Sequence, residues 1–191
     1  VFHEKFPYVI PGLYKRIVDE MLVELNLLNH QNDFTQDYLF CVGLTETFKQ
    51  LTKGYKPEKH LDLLFESLCS STNFEATEIN EMSQKSQKEF KDKTPKDIFK
   101  LLKEKSNSKL YPSRILNLGI YILISNSQDL KEKDESKTNK MISDIFEKLN
   151  LSANKAEKDI GIYKSSISKM EQAKELIEEL RIKDKKKEQK Q

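Results

Sequence analysis

The side chains able to do chemistry are few and scattered. His3, His30 and His60 stand far apart in the chain, with no H-x-x-x-H or H-E-x-x-H spacing and no cysteine at metal-ligand distance in sequence. They read as solvated histidines in loops and at helix ends. Cys41 and Cys69 sit in apolar surroundings and form no C-x-x-C pair, which fits small buried side chains in a reducing compartment. A nucleophile needs a base and an oxyanion hole. There is no G-x-S-x-G elbow and no G-x-x-x-x-G-K phosphate loop, and five glycines are too few to build such features elsewhere. Acidic neighbours such as Asp19 and Glu20 fall on a charged helix face. We therefore expect no catalytic residue, no cofactor and no bound metal, and we rank an enzyme last among the functional classes.

The one concentration of chemistry is the basic C-terminus. Residues 181–191 hold six cations against two acids, a net charge of +4, and almost no apolar side chain. Ile177, Arg181, Lys183, Lys185, Lys186 and Lys187 are the candidate partner-binding residues. At about 1 kcal/mol per cation near an anionic membrane, such a tail attaches weakly and reversibly. A solubilising helix end is the bland alternative. The tail has no aromatic residue for stacking on single-stranded bases. The whole-chain charge is only +2, from 33 Lys and Arg against 31 Asp and Glu. Nucleic acid is accordingly not the expected partner. A helical module binding nucleic acid or a membrane surface through this tail is kept as the alternative function.

The elements that carry these residues read as helices. The composition, 37% hydrophobic and 34% charged with five Pro and no Trp, suits helices with widely spaced turns. In residues 11–29, Leu13, Tyr14, Ile17, Val18, Met21, Leu22, Leu25 and Leu28 recur at steps of three and four, an apolar face that other helices must cover. We expect this to be the central helix of a bundle, entered through Pro11. Residues 1–10 read as an extended lead-in that packs aromatics on the body. A second helix spans 35–52, where Gly43 implies close approach of a neighbour, since a mid-helix Gly costs about 1 kcal/mol against Ala. Gly54 ends it and Pro57 opens a third helix. Residues 75–91, anchored only by Ile79, Met82 and Phe90, read as a surface helix. Thr94-Pro95-Lys96-Asp97 has a helix-opening pattern. Residues 111–125 read as a fully buried helix, with a buried strand as the rival. Residues 126–138 read as a mobile loop, and 139–149 as an amphipathic helix.

From Ser152, a plausible N-cap, Ala153, Ala156, Ile160, Tyr163, Ile167, Met170 and Ile177 keep a heptad seam of coiled-coil type, broken only at Lys174. One helix over 152–187 would be roughly 50 Å long and would overhang a body roughly 40 Å across. We expect an all-α, multi-helix bundle (1–151) with a long C-terminal helix (152–191) that packs at its start and projects at its end. No apolar run approaches the roughly 20 residues that span a bilayer.

Five runs carry a resemblance: GLYKRIVDEMLVELNLL (12–28), DYLFCVGLTETF (37–48), GYKPEK (54–59), YPSRILNLGIY (111–121) and EKLNLSANKAEKDIGIYKSSISKMEQAKEL (147–176). In this order they resemble the thylakoid formation protein family, also described as a photosystem II biogenesis accessory protein. None of the runs is a catalytic signature. The Lys- and Glu-rich stretch 126–140 departs from the family pattern, and the lack of a long transit segment looks more like a cyanobacterial member than a plant one. The resemblance implies an all-helical, non-enzymatic protein, soluble or peripheral on the cytoplasmic side of thylakoid membranes. It implies a role in thylakoid biogenesis and in photosystem II assembly and repair. The implied partner is the FtsH-type membrane protease complex, with the anionic thylakoid surface as a further candidate. The residues leave the oligomeric state open.

Overall fold

A computed structural model describes residues 1–105, 110–127 and 135–188. Among these residues every regular element is helical: α1 (Phe2–Lys5), α2 (Gly12–Asn29), α3 (Tyr38–Leu51), a 3-10 turn (Glu58–His60), α4 (Leu61–Ser70), α5 (Ala76–Phe90), α6 (Pro95–Lys105), α7 (Arg114–Ser125), α8 (Glu135–Lys148) and α9 (Ala153–Glu188).

The molecule is organised around α3, and the central position expected for α2 falls to it. Ten residues of α3, among them the whole run Leu39 to Thr45, are buried. The helix separates two apolar clusters. Phe40, Cys41, Leu44 and Phe48 face a cluster shared with α2 and α4. Leu39 and Val42 face a second one shared with α6, α7, α8 and α9. A helix with cores on both sides must be apolar nearly all round. α2 instead turns one face inward, through Tyr14, Val18, Met21, Leu25 and Leu28, and leaves Val23 and Leu27 in solvent. Its stripe was legible; its rank was not.

α3 and α7 cross at near backbone contact. A Cβ on Gly43 would stand 2.0 Å from the Ile115 carbonyl oxygen, and one on Gly119 would stand 2.0 Å from that of Leu39. The two glycines therefore allow one crossing between them, which accounts for both mid-helix positions. Asn117, the other interruption in the apolar run of α7, is buried and donates from Nδ2 to Asp159 Oδ2 on α9 at 2.8 Å. Ser113 caps α7 by accepting from Leu116 N at 3.1 Å. The helix reading of 111–125 holds, and the strand rival fails.

α5 is more than the surface helix that its sparse apolar content suggested. It packs along α3 with Ile79, Ser83, Ser86 and Phe90 buried. Ser83 Oγ lies 2.6 Å from Thr45 Oγ1, so the polar hydroxyl is satisfied inside the interface. Small serines let two helices approach closely, and a count of large apolar residues overlooks them. Met82 stays partly exposed but meets Cys41, Sγ to Sδ 3.6 Å.

Two smaller differences have local causes. The lead-in is extended only in part, because Phe2–Lys5 makes a helical turn before Phe6 enters the core. Thr94 and Asp97 open α6 as expected: the Asp97 N–H donates to Thr94 Oγ1 at 3.3 Å, and the Thr94 hydroxyl donates to Asp97 Oδ2 at 2.7 Å. The loop expected over 126–138 gives up its last residues to α8, which starts at Glu135; 128–134 lie outside the described residues.

Candidate functional site

α9 has 36 residues, and at 1.5 Å per residue it is about 54 Å long. Ser152 opens it, its Oγ accepting from Lys155 N at 3.3 Å. Its first half is held by the body. Ala156, Ile160 and Tyr163 are buried in the second cluster, with Ala153 and Ile167 packed at its margin, and Met170 is buried in the first. These seam contacts are made within the chain, chiefly to α7 and α8. Burial pushes the Tyr163 hydroxyl up to about 12, with Tyr121 and Glu46 adding smaller contributions.

Lys174 marks the point where the helix leaves the body. Its aliphatic stem lies over Gly54, where a Cβ would stand 3.5 Å from Lys174 Cε. A long stem can cover apolar surface while its charge stays wet, which explains a lysine on the seam. Burial lowers its pKa and Lys53 lowers it further, against an opposing pull from Glu171.

Beyond Lys174 the apolar side chains face solvent. Leu176 is 58% exposed, Ile177 40%, Leu180 51% and Ile182 45%. Leu176, Ile177 and Leu180, with Ala173, follow helical steps of three and four and form one stripe. Sequence reasoning selected Ile177 and missed Leu176 and Leu180, because it followed a strict heptad. A real helix drifts by about 20° per heptad against that repeat. Reading outward from Ala173 at steps of three and four would have found them. Lys183 is exposed. The helix backbone continues through Arg181, Lys185, Lys186 and Lys187, whose side chains lie outside the described residues.

The other chemical candidates are dispersed. His30 Nδ1 lies 2.7 Å from the Asn26 carbonyl oxygen at the end of α2. His60 stacks on Tyr8 at 3.8 Å between ring centroids, and His3 meets Phe2 edge-on. Both cysteine thiols are buried, and burial pushes each up to about 12, so the nucleophilic thiolate is suppressed near neutral pH. Among the described residues no group of three or more His, Cys, Asp or Glu could hold a metal ion.

The nearest thing to a polar cleft lies between α2, α3, α7 and α9. It is lined in part by Glu20, Glu24, Thr47, Arg114, Asp159 and Tyr163 and encloses about 50 Å³. Four of its polar groups are already committed. Arg114 donates to Glu24 through Nε at 2.9 Å and through Nη2, and Asn117 holds Asp159. Glu20 is bound by Arg16 at 2.8 Å. The space suits a water or two. The polar bonds join α2, α7 and α9, and the cleft offers no nucleophile with a base.

The geometry therefore directs attention to an exposed helical surface. Comparison with known proteins gives it a context. The family model for the thylakoid formation protein matches residues 1–191. The chain belongs to the thylakoid formation protein family. Among its relatives, Protein Thf1 of Prochlorococcus marinus (strain MIT 9312) is 85% identical over 187 residues, covering 98% of this chain and 93% of that one. Protein Thf1 of Prochlorococcus marinus subsp. pastoris (strain CCMP1986 / NIES-2087 / MED4) is 72% identical over 186 residues, covering 97% and 92%. A solved structure of Psb29 superposes with a TM-score of 0.84, covering 100% of this chain and 95% of that one. At 24% identity that likeness speaks to the all-helical fold alone. Among the described residues of this family member, no helix is long and apolar enough to cross a membrane.

Proposed function

We propose that this chain is a non-enzymatic accessory protein of thylakoid biogenesis and photosystem II assembly and repair. In this reading it sits at the cytoplasmic side of the membrane and acts by binding and maintaining an FtsH-type membrane protease. Family membership supplies the biological setting. The single observation that carries the mode of action is the exposed stripe of Leu176, Ile177 and Leu180 on a helix that has left its own body. Solvent-facing apolar residues in an i, i+3, i+4 pattern are what a helix presents to another protein's groove. The partner-binding set then comprises that stripe with Arg181, Lys183, Lys185, Lys186 and Lys187. The rest of the chain acts as a rigid mount, because the first half of α9 is anchored in the core by Ile160, Tyr163 and Met170.

The test is site-specific crosslinking in photosynthetic cells from single positions along 175–187, followed by recovery of the protease complex. Crosslinks to protease subunits are expected from positions on the stripe and to be lost in the triple variant L176S/I177S/L180S. Recovery that is unchanged in that variant and in a chain truncated after Lys174 would refute the role given to the distal helix.

A further inference from the structure

Six of the eleven large apolar side chains exposed among the described residues belong to two short segments: Tyr8 and Val9, and Leu176, Ile177, Leu180 and Ile182. These segments are far apart in sequence, yet both adjoin the turn 52–60. Tyr8 stacks on His60, and Lys174 lies over Gly54. Tyr14, near the start of α2, donates its hydroxyl to the Lys53 carbonyl oxygen at 3.4 Å, which ties the third element to the same end.

That end is also basic. The turn carries Lys53, Lys56 and Lys59, all exposed, against Glu58. Lys53 stands close enough to Lys174 to disfavour its charge. On distal α9 the period of 3.6 residues places Glu171, Glu175 and Glu178 on the side opposite Leu176, Ile177 and Leu180, while Lys183 and Glu179 flank the stripe on the Leu176 edge. Apolar groups edged by the lysines of the turn and by Lys183, with Glu171, Glu175 and Glu178 turned away, form the pattern of a surface that rests on anionic lipid. A fluid bilayer needs no fixed groove to receive separate apolar side chains. Val9 is 91% exposed in the loop between α1 and α2, beside the half-exposed Tyr8.

We propose that this end of the molecule is a docking surface for an anionic bilayer, in which the lysines of turn 53–59 meet lipid phosphates while Val9 and the Leu176–Leu180 stripe enter the interface. The inference rests on the peripheral role proposed above and gives the stripe to the bilayer in place of a protease groove; its readout contains no protease, so failure of one is distinguishable from failure of the other.

The experiment is flotation of the purified full chain with protein-free vesicles. One set is pure phosphatidylcholine and the other contains phosphatidylglycerol. Binding is expected only to the phosphatidylglycerol vesicles, and to weaken as salt is raised through the screening range. With about fivefold in affinity per cation, K53Q/K56Q/K59Q should bind about a hundredfold more weakly. A second variant, V9S/L176S/I177S/L180S, should lose binding while keeping its helical circular dichroism, because all four positions are exposed. No binding at low salt overturns the proposal. So does equal binding to neutral vesicles, or binding indifferent to both variants. Vesicle binding without protease crosslinks would leave this inference standing and remove the protease reading.

Discussion

The crossing of α3 and α7 offers the sharpest test of the packing argument. Replacing Gly43 with Ala adds one methyl group. In an exposed helix that change should stabilise by about 1 kcal/mol, through propensity alone. At position 43 the new Cβ would meet the Ile115 carbonyl oxygen at 2.0 Å, its carbonyl carbon at 2.9 Å and Gly119 N at 3.0 Å. All three are backbone atoms, so no rotamer change relieves the clash. Non-bonded contacts below about 3 Å are not tolerated, so the helices must part by about 1 Å at their closest point. A gap of that size forfeits a quarter to a half of each dispersion contact around it. Leu39, Val42, Leu116 and Leu118 are buried on these two helices. Overpacking typically costs 1–3 kcal/mol and more where backbone must move. A cost near the top of that range, about 3 kcal/mol, less the propensity gain of about 1 kcal/mol leaves a net loss of about 2 kcal/mol, which for a chain of this size lowers Tm by about 4–8 °C. The assay is thermal and urea unfolding followed by circular dichroism. Gly161 supplies the control: it lies within α9 with nothing within 4 Å of its added Cβ, so G161A should stabilise. G119A should resemble G43A, and the double variant should cost less than the sum, because helices already parted admit the second methyl cheaply. A G43A protein as stable as the parent, or more so, refutes the reasoning.

Other expectations follow from the same coordinates. M170A, in the packed half of α9, should lose about 2–4 kcal/mol, whereas I177A, beyond Lys174, should shift stability by less than about 0.5 kcal/mol in urea titrations. S113A removes a buried N-cap from α7 and should cost about 1–2 kcal/mol by the same measurement, with S113T recovering part of it. Cys41 and Cys69 should react with a disulfide reagent only slowly in the native state at neutral pH, since burial raises both thiols to about 12; denaturant should make both react at once. Rapid native-state labelling at pH 7 would contradict the burial given to them.

Much of the secondary structure could be read from residue order. Pro11 marks a helix start through its fixed φ, and the Thr94–Asp97 opening and the Ser152 cap do so through local hydrogen bonding, which depends on neighbours a few positions away. Gly43 announced a close approach because mid-helix glycine is costly without one. The sequence also carries the family, whose model matches residues 1–191. It indicated the departure of α9 from the body through arithmetic on length, and Ile177 as an apolar residue near that departure.

The tertiary structure decided which helix is central, which partner approaches Gly43 and where the exposed surface lies. α2 and α3 both carry dense apolar patterns, and only the presence of core on two sides of α3 ranks them. Ser83 and Ser86 are polar by composition, yet they are buried because Thr45 satisfies one hydroxyl and the Met82 carbonyl the other. The gathering of Tyr8, Lys53 and Lys174 at one end joins residues more than a hundred positions apart. Periodicity reports the direction a side chain takes from its own helix. What it meets there depends on how distant segments pack, and that information is held only in three dimensions.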